Sequence, residues 1–203
     1  MVEDRWFLLE DDDEPDEVQA AFINALRERA ASWSLAVNDV EVLLPDYIAY
    51  GYDLQPGETS FGKLLVYADL PAPGFNRSLL TVGAYLDGST IYGDKLHNQL
   101  FTLPAEPTPL AFTGSGSPEE LAMITGDWFE TIWRRPVIRH EWLRSGQIYA
   151  DRFLFADTGQ GLSEGRVHTV ALGAPDHIVH VRGESTLQRV TRALPLVGGG
   201  LGE

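Results

Sequence analysis

Two stretches of the chain set reactive side chains at close spacing. Asp176-His177-Ile178-Val179-His180 carries two imidazoles three positions apart beside a carboxylate. On a helix both would share a face and could hold a metal ion together. Pro175 before them and the Ile, Val, Val composition favour a strand, which sends His177 and His180 to opposite faces, so no metal site is expected. The second stretch is a hairpin, with strands Val137 to Arg144 and Gln147 to Phe155 joined at Ser145-Gly146. A two-residue loop pairs Arg144 with Gln147, and so Trp142 with Tyr149, His140 with Asp151 and Ile138 with Phe153. One face then sets a His–Asp couple, suited to acid–base work, beside an aromatic pair. The other face sets Arg139 against Arg152, with Glu141 diagonal to the latter. Trp, Tyr and Arg dominate binding hot spots. Arg139, Arg152, Glu141, Trp142 and Tyr149 are therefore the candidate binding residues. The face with Trp142 is expected to be buried against the preceding helix, and the face with Arg139 and Arg152 to make contacts.

Asp157-Thr158-Gly159 follows the apolar run Phe153-Leu154-Phe155-Ala156 and is similar to the Asp-Thr-Gly signature of aspartic proteases. That resemblance implies two carboxylates sharing a proton, and so two such loops. The triplet occurs once, so a homodimer would have to supply the second, and Gln160 replaces the family's small or β-branched residue. Read as a turn, Asp157 bonds its own backbone and Gly159 takes a positive φ. Gly114-Ser115-Gly116 precedes a helix as a phosphate-binding loop would, but Glu119 and Glu120 would repel a phosphate there. No Gly-x-Ser-x-Gly elbow supports a serine hydrolase. The catalytic candidates are thus Asp157, His140 and Asp151, with no cofactor implied.

Composition narrows the classes further. The 203 residues include 30 acids and 15 bases, for a net charge of −15. That balance argues against sequence-independent nucleic-acid binding, which needs cationic groups against phosphate. With no Cys, disulfide scaffolds, thiol nucleophiles and Cys-ligated zinc are excluded. No apolar run approaches the roughly 20 residues of a membrane-spanning helix. Residues 1–17 hold nine acids against Arg5 alone, whereas Arg134 to Arg192 holds nine Arg against six acids. The acidic start does not resemble a targeting signal, so cytoplasmic residence is the expectation. Residues 1–14 read as a solvated acidic leader and 195–203 as a flexible Gly-rich tail.

The elements between them must position the candidates. A helix is expected from about Pro15 to Trp33, with Val18, Phe22, Leu26 and Trp33 as its apolar stripe. Trp6 to Leu9 before it reads as a short strand, and strands follow near Val40 to Leu44, Ile48 to Leu54, Phe61 to Asp69, Leu79 to Leu86 and from Ser89 onward, the last two flanking Asp87-Gly88, with a further one at His97 to Leu103. Residues 104–117 read as a long loop that could divide the 15–194 domain. Ser117-Pro118-Glu119-Glu120 is a capping box opening a helix to about Arg135, with Leu121, Ile124, Trp128 and Ile132 along one face. After the hairpin, Val167 to Leu172 and His177 to Arg182 are weaker strands, and Ser185 to Leu194 a short helix. The expected fold is α+β, an antiparallel meander plus hairpin with about three helices. In element order the chain resembles the small secretion chaperones that dimerise and hold a client segment, though it is longer and has extra strands. The leading expectation is a non-enzymatic acidic binding module (a chaperone, adaptor or immunity-type inhibitor) for a protein with a basic surface, and a homodimer is compatible with it. The alternatives are a hydrolase using Asp157 or the His140/Asp151 pair, and a small-ligand-binding α+β barrel lined by the Tyr-rich strands.

Overall fold

The computed structural model describes residues 6–10, 13–33, 38–45, 63–72, 74, 77–97, 100–166 and 172–183. The expected strand Ile48 to Leu54, the helix Ser185 to Leu194, the tail and nearly all of the expected strand Val167 to Leu172 lie outside those residues.

Helix α1 spans Glu17–Ala30. Asp16 caps it, accepting from the Gln19 N–H at 2.8 Å while the Gln19 side chain accepts from the Asp16 N–H at 3.0 Å. Pro15 therefore stands before the cap and not in the first turn. Helix α2, Pro118–Arg134, begins on the Ser117/Glu120 capping box with Pro118 in its first turn, as the sequence predicts. The buried stripes are rotated from expectation: Ile23 is buried on α1 while Val18 is exposed, and Phe129 is buried on α2 while Ile124 is exposed. The reason is that the two helices pack on each other through residues with little hydropathy signal. Ala122, Thr125 and Gly126 are buried on α2, and a Cβ at Gly126 would lie 2.6 Å from Arg29 Cγ. Arg29 then reaches Asp127 at 2.9 Å and also bonds Glu130, tying the helices together at their polar border.

Among the described residues the strands form two antiparallel sheets. The first is a meander in chain order, β1 (Asn38–Leu43), β2 (Leu64–Pro71), β3 (Ser78–Asp87), β4 (Thr90–Lys95) and β5 (Phe112–Ser115). Asp87 pairs with Thr90, so the β3–β4 turn is Gly88-Ser89, one position beyond the expected dipeptide. Alternation along β2 and β3 sends Leu64, Val66, Ala68, Val82, Ala84 and Leu86 into the main core under the helices. Leu65, Tyr67 and Tyr85 point the other way, joining Leu43, Leu96 and Phe101 in a second apolar cluster. The Tyr85 hydroxyl there donates to the Phe101 carbonyl at 2.6 Å. Tyr67 and Tyr85 are thus buried in an apolar cluster on this side, whereas Tyr50 and Tyr52 lie outside the described residues.

The span 104–117 is not a plain loop, because β5 lies within it and pairs with β4. Asp94, buried on β4, accepts from the Thr108 N–H at 2.7 Å and from the Thr108 hydroxyl, and Phe112 stacks on Trp128 with ring centroids 4.5 Å apart. These contacts bind the span to both sheet and helix. His97 to Leu103, expected as a strand, is irregular at its described residues.

The second sheet has the order β8-β7-β6-β9, with β6 (Val137–Arg144), β7 (Gln147–Phe155), β8 (Gly161–Arg166) and β9 (His177–Arg182). Strand β8 was not foreseen; its Gly-Leu-Ser-Glu-Gly sequence has neither β-branched residues nor alternation. Val137, Phe153 and Phe155 extend the main core from the first sheet and both helices. Trp6 and Phe7 belong to that core too, with Phe7 fully buried and its carbonyl accepting from Arg27 at 2.8 and 3.0 Å. No helix among the described residues is long and apolar enough to cross a membrane.

Candidate functional site

The hairpin β6–β7 carries most of the candidate residues, and its turn has the expected two residues. Ser145 (φ 52°) and Gly146 (φ 77°) both adopt the left-handed conformation that matches strand twist, and Arg144 pairs with Gln147 and Leu143 with Ile148. The expected register ends there. Between Leu143 and Trp142 a bulge leaves Tyr149 without an opposite number, so Trp142 pairs with Ala150, Glu141 with Asp151, His140 with Arg152 and Arg139 with Phe153. A one-residue slip moves every later side chain of β7 to the other face. His140 and Asp151 are consequently on opposite faces, and so are Arg139 and Arg152. The Tyr149 ring instead lies under the Arg144 guanidinium at 5.4 Å, at the hairpin tip.

The face turned to the protein interior is apolar at one end and ionic at the other. Val137, Phe153 and Phe155 are buried outright. Farther along, Arg139 pairs with the buried Glu141, and His177 Nδ1 lies 3.5 Å from the same carboxylate. Asp151 accepts from Arg77 at 3.0 Å and from the Gly165 N–H at 2.9 Å. The guanidinium groups of Arg77 and Arg139 stand 4.9 and 5.8 Å from the Phe153 ring. Both carboxylates are therefore committed to arginines, and the cluster joins the second sheet to the start of β3.

The outer face holds Ile138, His140, Trp142, Arg152 and, through the pairing of β6 with β9, Ile178 and His180. Trp142 is only 6% exposed, and the residues that hold it include the segment before β9. Its indole N–H donates to the Gly173 carbonyl at 3.0 Å, and Asp176 fastens the same segment by accepting from the Leu143 N–H at 2.7 Å. The expectation that this face packs on α2 is thus corrected: Val137, Phe153 and Phe155 on the opposite face join the main core, and the bulge puts Phe153 on that side, away from Trp142. Burial, and secondarily the nearby Arg152 charge, hold His140 below the usual imidazole pKa. His177 and His180 sit on opposite faces of β9, opposite Glu141 and Ile138 respectively. No group of three or more metal-ligating side chains occurs among the described residues.

Asp157 forms a turn. Arg135 donates to both of its carboxylate oxygens at 2.9 Å and to the Thr158 hydroxyl at 2.8 Å, while its guanidinium stacks 3.7 Å over Phe155. Gly159 has φ 71°, and its N–H closes onto the Phe155 carbonyl at 2.8 Å. The Arg135 hydrogen bonds hold the Asp157 carboxyl below its ordinary pKa.

A further concavity, not foreseen from the sequence, lies at the border of the first sheet. Leu8 makes a single parallel bridge to Glu41 on β1, with the Val42 N–H donating to the Leu8 carbonyl at 3.3 Å. The leading chain then turns away, since the Glu10 N–H donates to the Asp13 carboxylate at 2.9 Å and the Asp13 N–H to the Glu10 carbonyl at 3.1 Å. Between this turn and the end of β1 lies a groove of about 250 Å³, lined by Leu8, Leu9, Val42, Leu43 and Leu44 and by Glu10, Asp13 and Glu41, the last accepting from the Tyr67 hydroxyl at 2.5 Å. Small-molecule pockets generally occupy roughly 300–1,000 Å³, so it suits a side chain or a short run of backbone better than a whole ligand. Its sequence signal is the apolar run Trp6-Phe7-Leu8-Leu9 inside the acidic leader, short enough to read as a strand or as solvated chain. No protein-family model, curated protein or solved structure matches this chain.

Proposed function

We propose that this protein is a non-catalytic binding module whose partner presents a basic surface. The groove between the Glu10–Asp13 turn and β1 carries the reading, because apolar residues and three carboxylates line one concavity. A desolvated apolar contact ringed by charge is the usual anatomy of a protein-recognition site. The chain's net charge of −15 adds a long-range field that speeds encounter with a cationic partner. A hydrolase reading draws no support from the hairpin, where His140 and Asp151 face apart and Asp151 is bound by Arg77.

The test separates a site from a bulk charge effect. Binding of a fluorescent lysine-rich protein is followed by anisotropy while salt is raised from about 0.05 to 0.5 M, a range over which screening shortens from roughly 14 to 4 Å. Affinity should fall steeply. Glu10→Lys should weaken binding several-fold more than Glu28→Lys, which makes the same charge change at an exposed site on α1 outside the groove. Equal effects of the two, or affinity indifferent to salt, would remove the proposal.

A further inference from the structure

The groove also has a backbone wall, and that wall narrows the class of partner. Among the described residues strand β1 is the end strand of its sheet, and its outer edge is paired there only where Leu8 crosses it. The Val42 N–H points outward to Leu8. In an antiparallel ladder the carbonyl of such a residue points outward as well. Among the described residues no backbone N–H reaches it, because the turn at Glu10 and Asp13 carries the leading chain off the edge after one bridge. What remains beside the groove is half of a strand-pairing edge flanked by Leu8, which is 50% exposed, and by three carboxylates.

Resting on the basic-partner reading above, we infer that the groove receives an extended segment of the partner, which pairs its backbone with the outer edge of β1 near Val42 and sets Lys or Arg side chains against Glu10, Asp13 and Glu41. Strand addition draws affinity from main-chain bonds and selectivity from alternate side chains. On an extended segment, alternate residues would face the apolar lining and the carboxylates, so the preferred occupant alternates apolar with basic. Another end strand among the described residues, β9, exposes Ile178 and Val179 but offers a mixture of His and apolar groups that selects no occupant.

The probe is a labelled peptide of alternating arginine and valine, six residues long, against the full chain. A second copy N-methylated at alternate positions, made in both phases, keeps every charge and removes half of the strand-pairing donors. The unmodified peptide should bind, with affinity lowered about tenfold by Glu10→Lys and little changed by Glu28→Lys. One of the two N-methylated phases should bind at least about tenfold more weakly, a difference of roughly 1.4 kcal/mol. Unchanged melting temperatures of both variants would confirm that they are folded. If both N-methylated phases bind as well as the parent, strand addition is overturned while the basic-partner reading stands. Failure of the peptide to bind, alongside Glu10-dependent binding of the lysine-rich protein, has the same meaning. Failure of both probes overturns the two readings together.

Discussion

The two sheets of this protein have the same local pairing and opposite uses of their faces. The first is apolar on both sides: eight of the ten residues of β3 are buried, because one face meets the helices and the other meets the Tyr85–Phe101 cluster. The second has one interior face, itself divided between Val137, Phe153 and Phe155 and the Arg77–Asp151 and Arg139–Glu141 pairs, and one outer face where Ile178 is 61% exposed. A sheet covered twice is scaffold, with little liberty to vary a side chain. A sheet covered once keeps a surface on which polar residues can change without disturbing packing. The proposed site lies on neither surface. It sits at the border of the rigid sheet, where backbone groups are held in place by β2 and the leading segment ends its pairing early.

The hardest test of this contrast is removal of residues 1–14, the segment that crosses the border of the first sheet. Its acids suggest that it is dispensable, but Trp6 and Phe7 are in the main core. Losing a buried aromatic costs about 3–5 kcal/mol, against a total stability of about 5–15 kcal/mol for a typical domain. The truncated chain should lose its cooperative urea transition and its near-ultraviolet circular dichroism. A melting temperature within about 2 °C of the full chain would show that the segment is mere decoration.

A milder pair of changes compares the faces of the second sheet. Phe153→Ala, inside, should cost about 3–5 kcal/mol in urea denaturation, and Ile178→Ala, outside, no more than about 0.5 kcal/mol. Similar losses at the two positions would mean that the outer face is also covered. The smallest expected effect concerns acidity. His140 on the outer face has a folded pKa below its unfolded value of about 6.5, so the unfolded chain binds the extra proton. Its contribution to stability is complete above about pH 6.5 and declines as the pH falls through the folded pKa. Replacing His140 by Gln should flatten stability between about pH 7.5 and 5, and a steeper dependence in the variant would contradict that burial.

Local signals in the sequence located elements well and faces poorly. Ser117-Pro118-Glu120 fixed the start of α2 because a capping box is complete within four residues. The Ser145-Gly146 turn was equally legible, since positive φ at both positions is a local demand. The α+β class followed from the order of such segments. Helix faces were displaced because Ala122 and Gly126 make the α1 contact without contributing hydropathy. Strand β5 was hidden because four residues between prolines and glycines give too short a pattern to register. The hairpin register differs from the expected one beyond Leu143 and Ile148, because nothing in Ile148-Tyr149-Ala150 announces a bulge. The groove needed two segments some thirty positions apart, and no single stretch of sequence encodes their approach.

The bulge at Tyr149 gives the hairpin a tolerance that its neighbour lacks. Loss of one codon anywhere from 149 to 151 can be absorbed by converting the bulge into a regular ladder, with Arg139 still opposite Phe153 and Phe155 still indoors. The β3–β4 hairpin runs from Asp87 and Thr90 to Val82 and Lys95 with no spare residue. Loss of one codon within β4 there would invert the rest of that strand and turn its buried residues outward. In the history of such a gene, single-residue deletions should therefore accumulate on one hairpin and be purged from the other.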